Sequence, residues 1–133
     1  MNDPSVEVPT EDFFRGFMND YTEAWNREDL EAILDSYHIP RFRYADGKLH
    51  VFLDDQSLRK ATADWIEVNR KEGPASWEIL SFSVTTLGKN SALVTSNWVF
   101  RRPDGTAVWD FVDSHLLCRF DGRWKILART LHD

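Results

Sequence analysis

The sequence contains a single cysteine, Cys118, among 133 residues. One cysteine cannot form a disulfide within the chain, and no signal peptide is recognisable, so we expect a protein of the reducing cytoplasm. Cys118 lies in an apolar run, which favours a buried small side chain over a nucleophile.

Basic residues are fewer than acidic residues. Lysine and arginine total 16 against 22 acidic residues, which gives a formal net charge of -6. A nucleic-acid-binding surface requires a basic face, and no apolar run approaches the roughly 20 residues of a membrane helix. We therefore expect neither a nucleic acid nor a membrane as a partner.

The sequence lacks the common signatures of catalysis. It has no HExxH, CxxC, GxSxG, GxGxxG or P-loop string. The four histidines have no metal-ligand spacing: His38, His50, His115 and His132. The sequence thus predicts no metal and no cofactor.

Apolar residues that recur every three or four positions predict three helices. The first runs from an N-cap at Thr10 to about Asn26, the second covers about 28–36, and the third begins after Asp54 or Asp55. Residues 1–9 are predicted to be an N-terminal tail, and residues 10–133 a single domain.

The remaining sequence predicts strands separated by turns rich in Gly, Asn and Asp. A hairpin signal at 45–47 joins two short runs, 41–44 and 49–53, and four long runs follow at 77–87, 91–102, 106–120 and 124–132. Long strands twist strongly. The fold class predicted is α+β, a cone-shaped, curved, mixed or antiparallel sheet with three helices on its concave side.

Side-chain alternation suggests which residues line the cone. If Ala92, Leu116 and Trp124 point inward, the polar inner residues are Ser96, Asp110, Ser114, Thr130 and His132, with Trp98 beside them. The outer face then remains apolar through Val99, Trp109, Phe111 and Leu117, which predicts a homodimer through the outer sheet face. A single bulge would exchange the two sets.

Several residues are candidates for chemistry, each with an alternative role. Asp110 lies among apolar neighbours, where burial would raise the pKa of a general acid or base, or it lies in solvent near the strand end. Tyr21 either donates to a ligand oxygen or is a core tyrosine. Asp113 and His115 form either a proton-transfer pair or a surface or interface pair. Arg41 is interpreted as an edge-strand residue with its charge in water.

Six tryptophans are many for a chain of this length. We place Trp25, Trp65 and Trp98 around the hollow of the cone. Aromatic walls suit a flat, apolar small molecule.

Two segments resemble the NTF2-like superfamily, and within it the SnoaL-like and ketosteroid-isomerase-like small proteins. They are YTEAWNREDLEAILDSY, residues 21–37, in which Asp29 would cap the second helix, and the closing FDGRWKI, residues 120–126. The turn at 88–92 also fits. The resemblance covers residues 10–133 and implies the curved-sheet fold, also known as the cystatin-like roll.

The resemblance supplies only part of a catalytic set. Tyr21 falls where ketosteroid isomerases keep a tyrosine that holds an oxyanion, but their base falls near Ala45, one position from Asp46, and their second acid near Leu116. The aspartate of scytalone-dehydratase-like members is replaced by Asn26, and their histidine near Trp77 or Glu78 is missing. The acid of SnoaL-like cyclases has a stand-in, by position only, in Asp110.

These observations lead to a functional hypothesis with two alternatives. The hypothesis is an isomerase, cyclase or dehydratase that acts by acid–base chemistry on an apolar, carbonyl-bearing molecule, without a cofactor. Asp110, or Asp46, would transfer the proton, and Tyr21 would stabilise the oxyanion. The ligand-binding residues would be Trp25, Trp65, Trp98, Ser96, Ser114, Thr130 and His132. The alternatives are a non-catalytic homodimeric domain that binds a small apolar ligand, and a structural dimer with a filled cone.

Overall fold

The computed structural model describes residues 8–133 and contains three helices. They are α1 (Glu11–Asn26), α2 (Leu30–Asp35) and α3 (Asp55–Lys71). Each begins at a side chain that accepts a hydrogen bond from a backbone N–H three residues further on, namely Thr10, Asp29 and Asp54. Most of the predicted tail, residues 1–7, lies outside the described residues.

Six strands follow the predicted order. They are β1 (Tyr37–Ala45), β2 (Lys48–Phe52), β3 (Ser76–Thr86), β4 (Ser91–Arg101), β5 (Ala107–Phe120) and β6 (Arg123–Leu131). β1 begins earlier than predicted and includes Pro40. This proline lies in the irregular part of the β1–β6 pairing, between Tyr37 and Phe42, where its missing N–H breaks no regular ladder bond.

The strands form one mixed sheet in the order β2-β1-β6-β5-β4-β3. All neighbours are antiparallel except β1 and β6, which are parallel. The sheet is open, because β2 and β3 are edges. This architecture confirms the predicted fold class of an α+β roll with three helices and a curved sheet.

The main core lies between the helices and one face of the sheet. Phe14 and Met18 of α1 are fully buried, as are Ile33 of α2 and Ile126 of β6. The Phe14 ring meets the half-buried Trp124 edge-on, with 5.1 Å between ring centroids. No helix of residues 8–133 is long and apolar enough to cross a membrane.

The predicted inner face of β5 is wrong. Ala92, Val94, Ser96 and Trp98 of β4 are buried, as predicted for inward residues. Their partners across the ladder are Leu117, His115, Asp113 and Phe111. Directly opposed residues of antiparallel strands share a face, so these four β5 residues point inward. Asp110, Ser114 and Leu116 alternate with them and therefore point outward.

A bulge in the β5–β6 pairing overturns the predicted face of the second half of β6. Leu117 pairs with Ile126, but the adjacent Leu116 pairs with Ala128, so Leu127 is an extra residue. Trp124 and Ile126 therefore face inward as predicted. Beyond the bulge, Arg129 and Leu131 face inward, whereas Thr130 and His132 face outward.

The predicted outer face changes with these corrections. Trp109, Phe111 and Leu117 were expected there, but all three lie on the inward side of β5. Val99 remains on the outer side and is only 2% exposed. A dimer through this face therefore requires a different set of residues.

Candidate functional site

A cavity of about 770 Å³ opens between α1, α3 and the inward face of the sheet. Its walls are largely aromatic, formed by Trp25, Trp65, Trp77, Trp98, Trp109 and Phe111. The Trp77 ring contacts those of Trp98 and Phe111, with centroids 6.1 and 5.6 Å apart. Trp65 is 46% exposed and lies at the mouth. The three tryptophans predicted to surround the hollow, Trp25, Trp65 and Trp98, thus line it.

A buried carboxylate anchors the floor of the cavity. Asp113 is 2% exposed and accepts a hydrogen bond from Trp98 Nε1 at 2.8 Å and another from Arg129 Nε at 2.8 Å. Arg129 also lies over the Phe111 ring, with Cζ 5.3 Å from the centroid. This network fixes the positions of an indole and a guanidinium, and it pairs the buried negative charge.

His115 lies beside this carboxylate and faces the cavity. It is 1% exposed, and its Nδ1 is 3.5 Å from Asp113 Oδ1. Within residues 8–133, neither ring nitrogen of His115 has a hydrogen-bond partner. Burial lowers the pKa of His115 to about 4, against the opposing effect of Asp113, and Arg129 and Arg41 add to the lowering. His115 is therefore neutral at pH 7, with an imidazole nitrogen available to accept a proton.

Two tyrosine hydroxyls meet in the same cavity. The Tyr21 and Tyr37 oxygens are 2.6 Å apart, and the Tyr21 ring lies 5.8 Å from the His115 ring between centroids. Burial, reinforced by Tyr37, raises the pKa of Tyr21 well above its ordinary value. The Tyr21 hydroxyl therefore stays protonated. One hydroxyl hydrogen forms the bond between the two tyrosines, so the other hydroxyl hydrogen can be donated to a ligand oxygen.

Arginines form the third feature of the cavity. Arg43 of β1 is directly opposite Arg129 of β6, and Arg129 is directly opposite His115 of β5. Arg41 is 6% exposed and stacks on the Tyr37 ring, with Cζ 4.1 Å from the centroid. The expectation that Arg41 lies in water on an edge strand is therefore wrong, because β2 forms the edge.

Other predicted site residues lie elsewhere. Asp110 is exposed and reaches only the rim of the cavity, and Asp46 is exposed in the β1–β2 turn. Ser96 is inward but completely buried, outside the lining. The other three predicted site residues, Ser114, Thr130 and His132, lie on the outer face. There Ser114 Oγ is hydrogen-bonded to Thr95 Oγ1 at 2.7 Å and to His132 Nε2 at 2.8 Å, and Thr130 is exposed.

Reasoning from the sequence missed Tyr37, Arg41 and Arg129 as cavity residues. The alternation of Arg41 and Arg43 with Phe42 and Tyr44 did indicate that both guanidiniums share one face. In the described part of the chain, no group of three or more His, Cys, Asp or Glu residues could hold a metal ion. The imidazole, hydroxyl and guanidinium groups that line this cavity can transfer protons and donate hydrogen bonds.

Comparison with known proteins agrees with the fold. The model of the family described as "NTF2-like protein (DUF6841)" matches residues 7–133. No curated protein sequence matches the chain.

Solved structures with the same fold include several bacterial proteins. An NTF2-like protein of unknown function from Shewanella oneidensis is 20% identical, with a TM-score of 0.67 over 92% of this chain and 98% of its own. A protein of unknown function with a cystatin-like fold from Nostoc punctiforme is 10% identical, with a TM-score of 0.73 over 94% and 92%. A candidate ketosteroid isomerase from Shewanella frigidimarina is 16% identical, with a TM-score of 0.63 over 86% and 90%. At these identities the likeness shows the fold alone.

Proposed function

We propose that this chain, which belongs to the NTF2-like family DUF6841, is an enzyme that moves a proton on a small carbonyl compound. The reaction class is that of an isomerase, cyclase or dehydratase. The observation that supports it most strongly is a neutral, buried His115 that faces an aromatic cavity with both ring nitrogens unbonded within residues 8–133.

The proton transfer uses three groups that are close together in the cavity. His115 takes a proton from the carbon next to the substrate carbonyl, and the electron pair moves onto the carbonyl oxygen as an enolate. The free hydroxyl hydrogen of the Tyr21–Tyr37 pair bonds to that oxygen. Asp113, at 3.5 Å from Nδ1, stabilises the imidazolium that forms. The imidazolium then returns the proton to another atom of the substrate.

This assignment moves the base from Asp110 to His115. Asp110 is exposed on the opposite side of β5, where water competes for its carboxylate. Tyr21 keeps the role expected from the sequence, now shared with Tyr37. The aromatic walls exclude water and suit a flat ring system.

The test is hydrogen–deuterium exchange at the carbon next to the carbonyl of 1-tetralone, a flat, uncharged aryl ketone, followed by proton NMR in D₂O. The parent protein should accelerate exchange over buffer alone. His115→Gln should lose about 10² to 10⁴ of that acceleration, since general-base catalysis is worth this much. Asp110→Asn, the matched control at the rim, should retain it.

Two results would contradict the proposal. One is an exchange rate in the presence of the parent protein equal to that in buffer. The other is an exchange rate with His115→Gln equal to that with the parent protein. Circular dichroism would show that His115→Gln and Asp110→Asn are both folded.

A second candidate function is ligand binding without chemistry. The number of aromatic rings in the walls favours it, because aromatic surface gives affinity whether or not a base is present. Binding of 1-tetralone with no acceleration of exchange would select this function.

A further inference from the structure

Positive charge in the cavity exceeds the negative charge that could pair with it. Three guanidinium groups, those of Arg41, Arg43 and Arg129, are in the lining. The buried Asp113 is occupied by Arg129 at 2.8 Å. Among the residues that the structure describes, no carboxylate oxygen lies within 4 Å of the guanidinium nitrogens of Arg41 or Arg43. Two cations thus face the cavity without an ion pair.

This arrangement is costly for the empty protein. Arg41 is 6% exposed, and its Nε has no hydrogen-bond partner within residues 8–133. Buried charges are normally paired, because removing an ion from water without a partner is unfavourable. Stacking on the Tyr37 ring compensates only in part. Burial and the neighbouring Arg129 and Arg41 also lower the pKa of Arg43, against the opposing effect of Asp46.

We propose that the natural ligand of this cavity is a flat, aromatic molecule that carries a carboxylate, and that Arg41 and Arg43 bind the carboxylate. This inference rests on the proposed function, since it names the substrate class of the same cavity. Guanidinium groups bind carboxylates through paired N–H donors, and the aromatic walls provide the surface for the ring system.

The balance of charge favours a singly charged group over a phosphate. Asp113 already neutralises Arg129, and Asp110 adds a second carboxylate at the rim. A dianion together with Asp110 would bring three negative charges against the two positive charges of Arg41 and Arg43. A carboxylate leaves the cavity close to neutral.

The position of the arginines also connects ligand charge to catalysis. Arg43, Arg129 and His115 are directly opposed residues on three adjacent strands. Arg41 and Arg129 disfavour the protonated form of His115. A bound carboxylate offsets their charge, so it makes His115 a stronger base when the substrate is present.

The test compares naphthalene-2-carboxylate with its uncharged amide, naphthalene-2-carboxamide, by isothermal titration calorimetry at pH 7. The two probes share ring system and size, so the ratio of their affinities reports the charge. The parent should bind the carboxylate about 10- to 100-fold more tightly, since a hydrogen bond to a charged group contributes about this much. Equal affinities, or no binding of either probe at millimolar concentration, would overturn the proposal.

Variants assign the preference to these arginines. Arg43→Met and Arg41→Met should each reduce the ratio of the two affinities towards one. Arg15→Met is the matched control, because Arg15 is an exposed α1 residue outside the cavity that pairs with Glu11 and its loss changes the net charge equally. A preference that survives both cavity variants, or that Arg15→Met reduces equally, would refute the assignment.

His115→Gln separates this proposal from the catalytic one. That variant should retain the preference for the carboxylate, since it removes no guanidinium. If the preference is present but the parent protein does not catalyse exchange, the carboxylate site stands and the catalytic proposal fails.

Discussion

The charge state of His115 depends on its neighbours more than on its own chemistry. Its ring is buried, and the groups that face it are the Asp113 carboxylate, the Arg129 and Arg41 guanidiniums and the Tyr21 ring. Of these groups, only the Asp113 carboxylate favours the protonated form of His115. The same burial that keeps His115 neutral therefore makes the folded protein sensitive to acid.

We predict an acid-dependent loss of stability that is caused by His115. The unfolded chain protonates this histidine near pH 6.5, whereas the folded chain does so only near pH 4. Between these values the unfolded state binds more protons, so the free energy of unfolding falls as the pH is lowered and levels off below about 4. The expected contribution is about 3 kcal/mol.

Urea unfolding of the parent and of His115→Gln at several pH values measures this effect. The parent should lose about 3 kcal/mol more than the variant between pH 7 and 4. Parallel pH profiles would show that His115 is not neutral in the folded protein.

Local sequence signals predicted the helix caps and the turns between the strands of this molecule. Thr10 and Asp54 are side-chain caps, and glycines with positive φ lie in the turns at Gly88, Gly105 and Gly122. Caps and turns act within a few residues, so the sequence around them is sufficient for prediction.

The faces of β5 and β6 could not be predicted in the same way. Both faces of β5 mix polar and apolar residues, and the buried polar ones are satisfied by partners distant in sequence, such as Trp98 for Asp113. The bulge at Leu127 depends on how β6 pairs with β5, which no local signal reveals. The proposed base therefore moves from Asp110 to His115, whereas Tyr21 on α1 lines the cavity as expected.

At the level of elements, α1 is held to the sheet through one side of its first turns. Phe14 is 0% exposed and packs edge-on against Trp124, whereas the adjacent Phe13 is 43% exposed. Phe14→Ala should lower the free energy of unfolding by about 3–5 kcal/mol, the usual cost of emptying a buried phenylalanine site. Phe13→Ala should cost about 1 kcal/mol.

Chemical denaturation of these two variants tests the helix position. Neighbouring residues of identical type share helix propensity, so the difference between them reports burial. Equal losses of stability would mean that α1 is rotated from the orientation described.

The whole molecule exposes an apolar row on the sheet face opposite the cavity. The register aligns one residue from each of five strands in that row: Leu93, Leu116, Ala128, Phe42 and Val51. Leu93 and Val51 are 39% and 43% exposed. An apolar strip across a sheet favours self-association, so we propose that a homodimer forms through this row in place of the residues first expected.

Analytical ultracentrifugation at micromolar concentration tests the dimer. The parent should sediment with about twice the mass of the chain, and Leu93→Lys should sediment as a monomer, because a charge in the row prevents burial. Val68→Lys on α3 is the control, since Val68 is also 39% exposed. A monomeric parent, or dissociation by the control variant, would contradict this interface.

A neutral His115 lies in the cavity that we propose small carboxylates enter. The most direct measurement is NMR of the histidine ring nitrogens during titration with naphthalene-2-carboxylate, with the His115 signals assigned from their absence in His115→Gln. At pH 7 the free protein should show His115 neutral, and the ligand should shift its signals and raise its pKa, while His132 on the outer face stays unchanged. A His115 that is protonated without ligand at pH 7, or that does not respond while His132 does, would contradict both the neutral state of His115 and the carboxylate site.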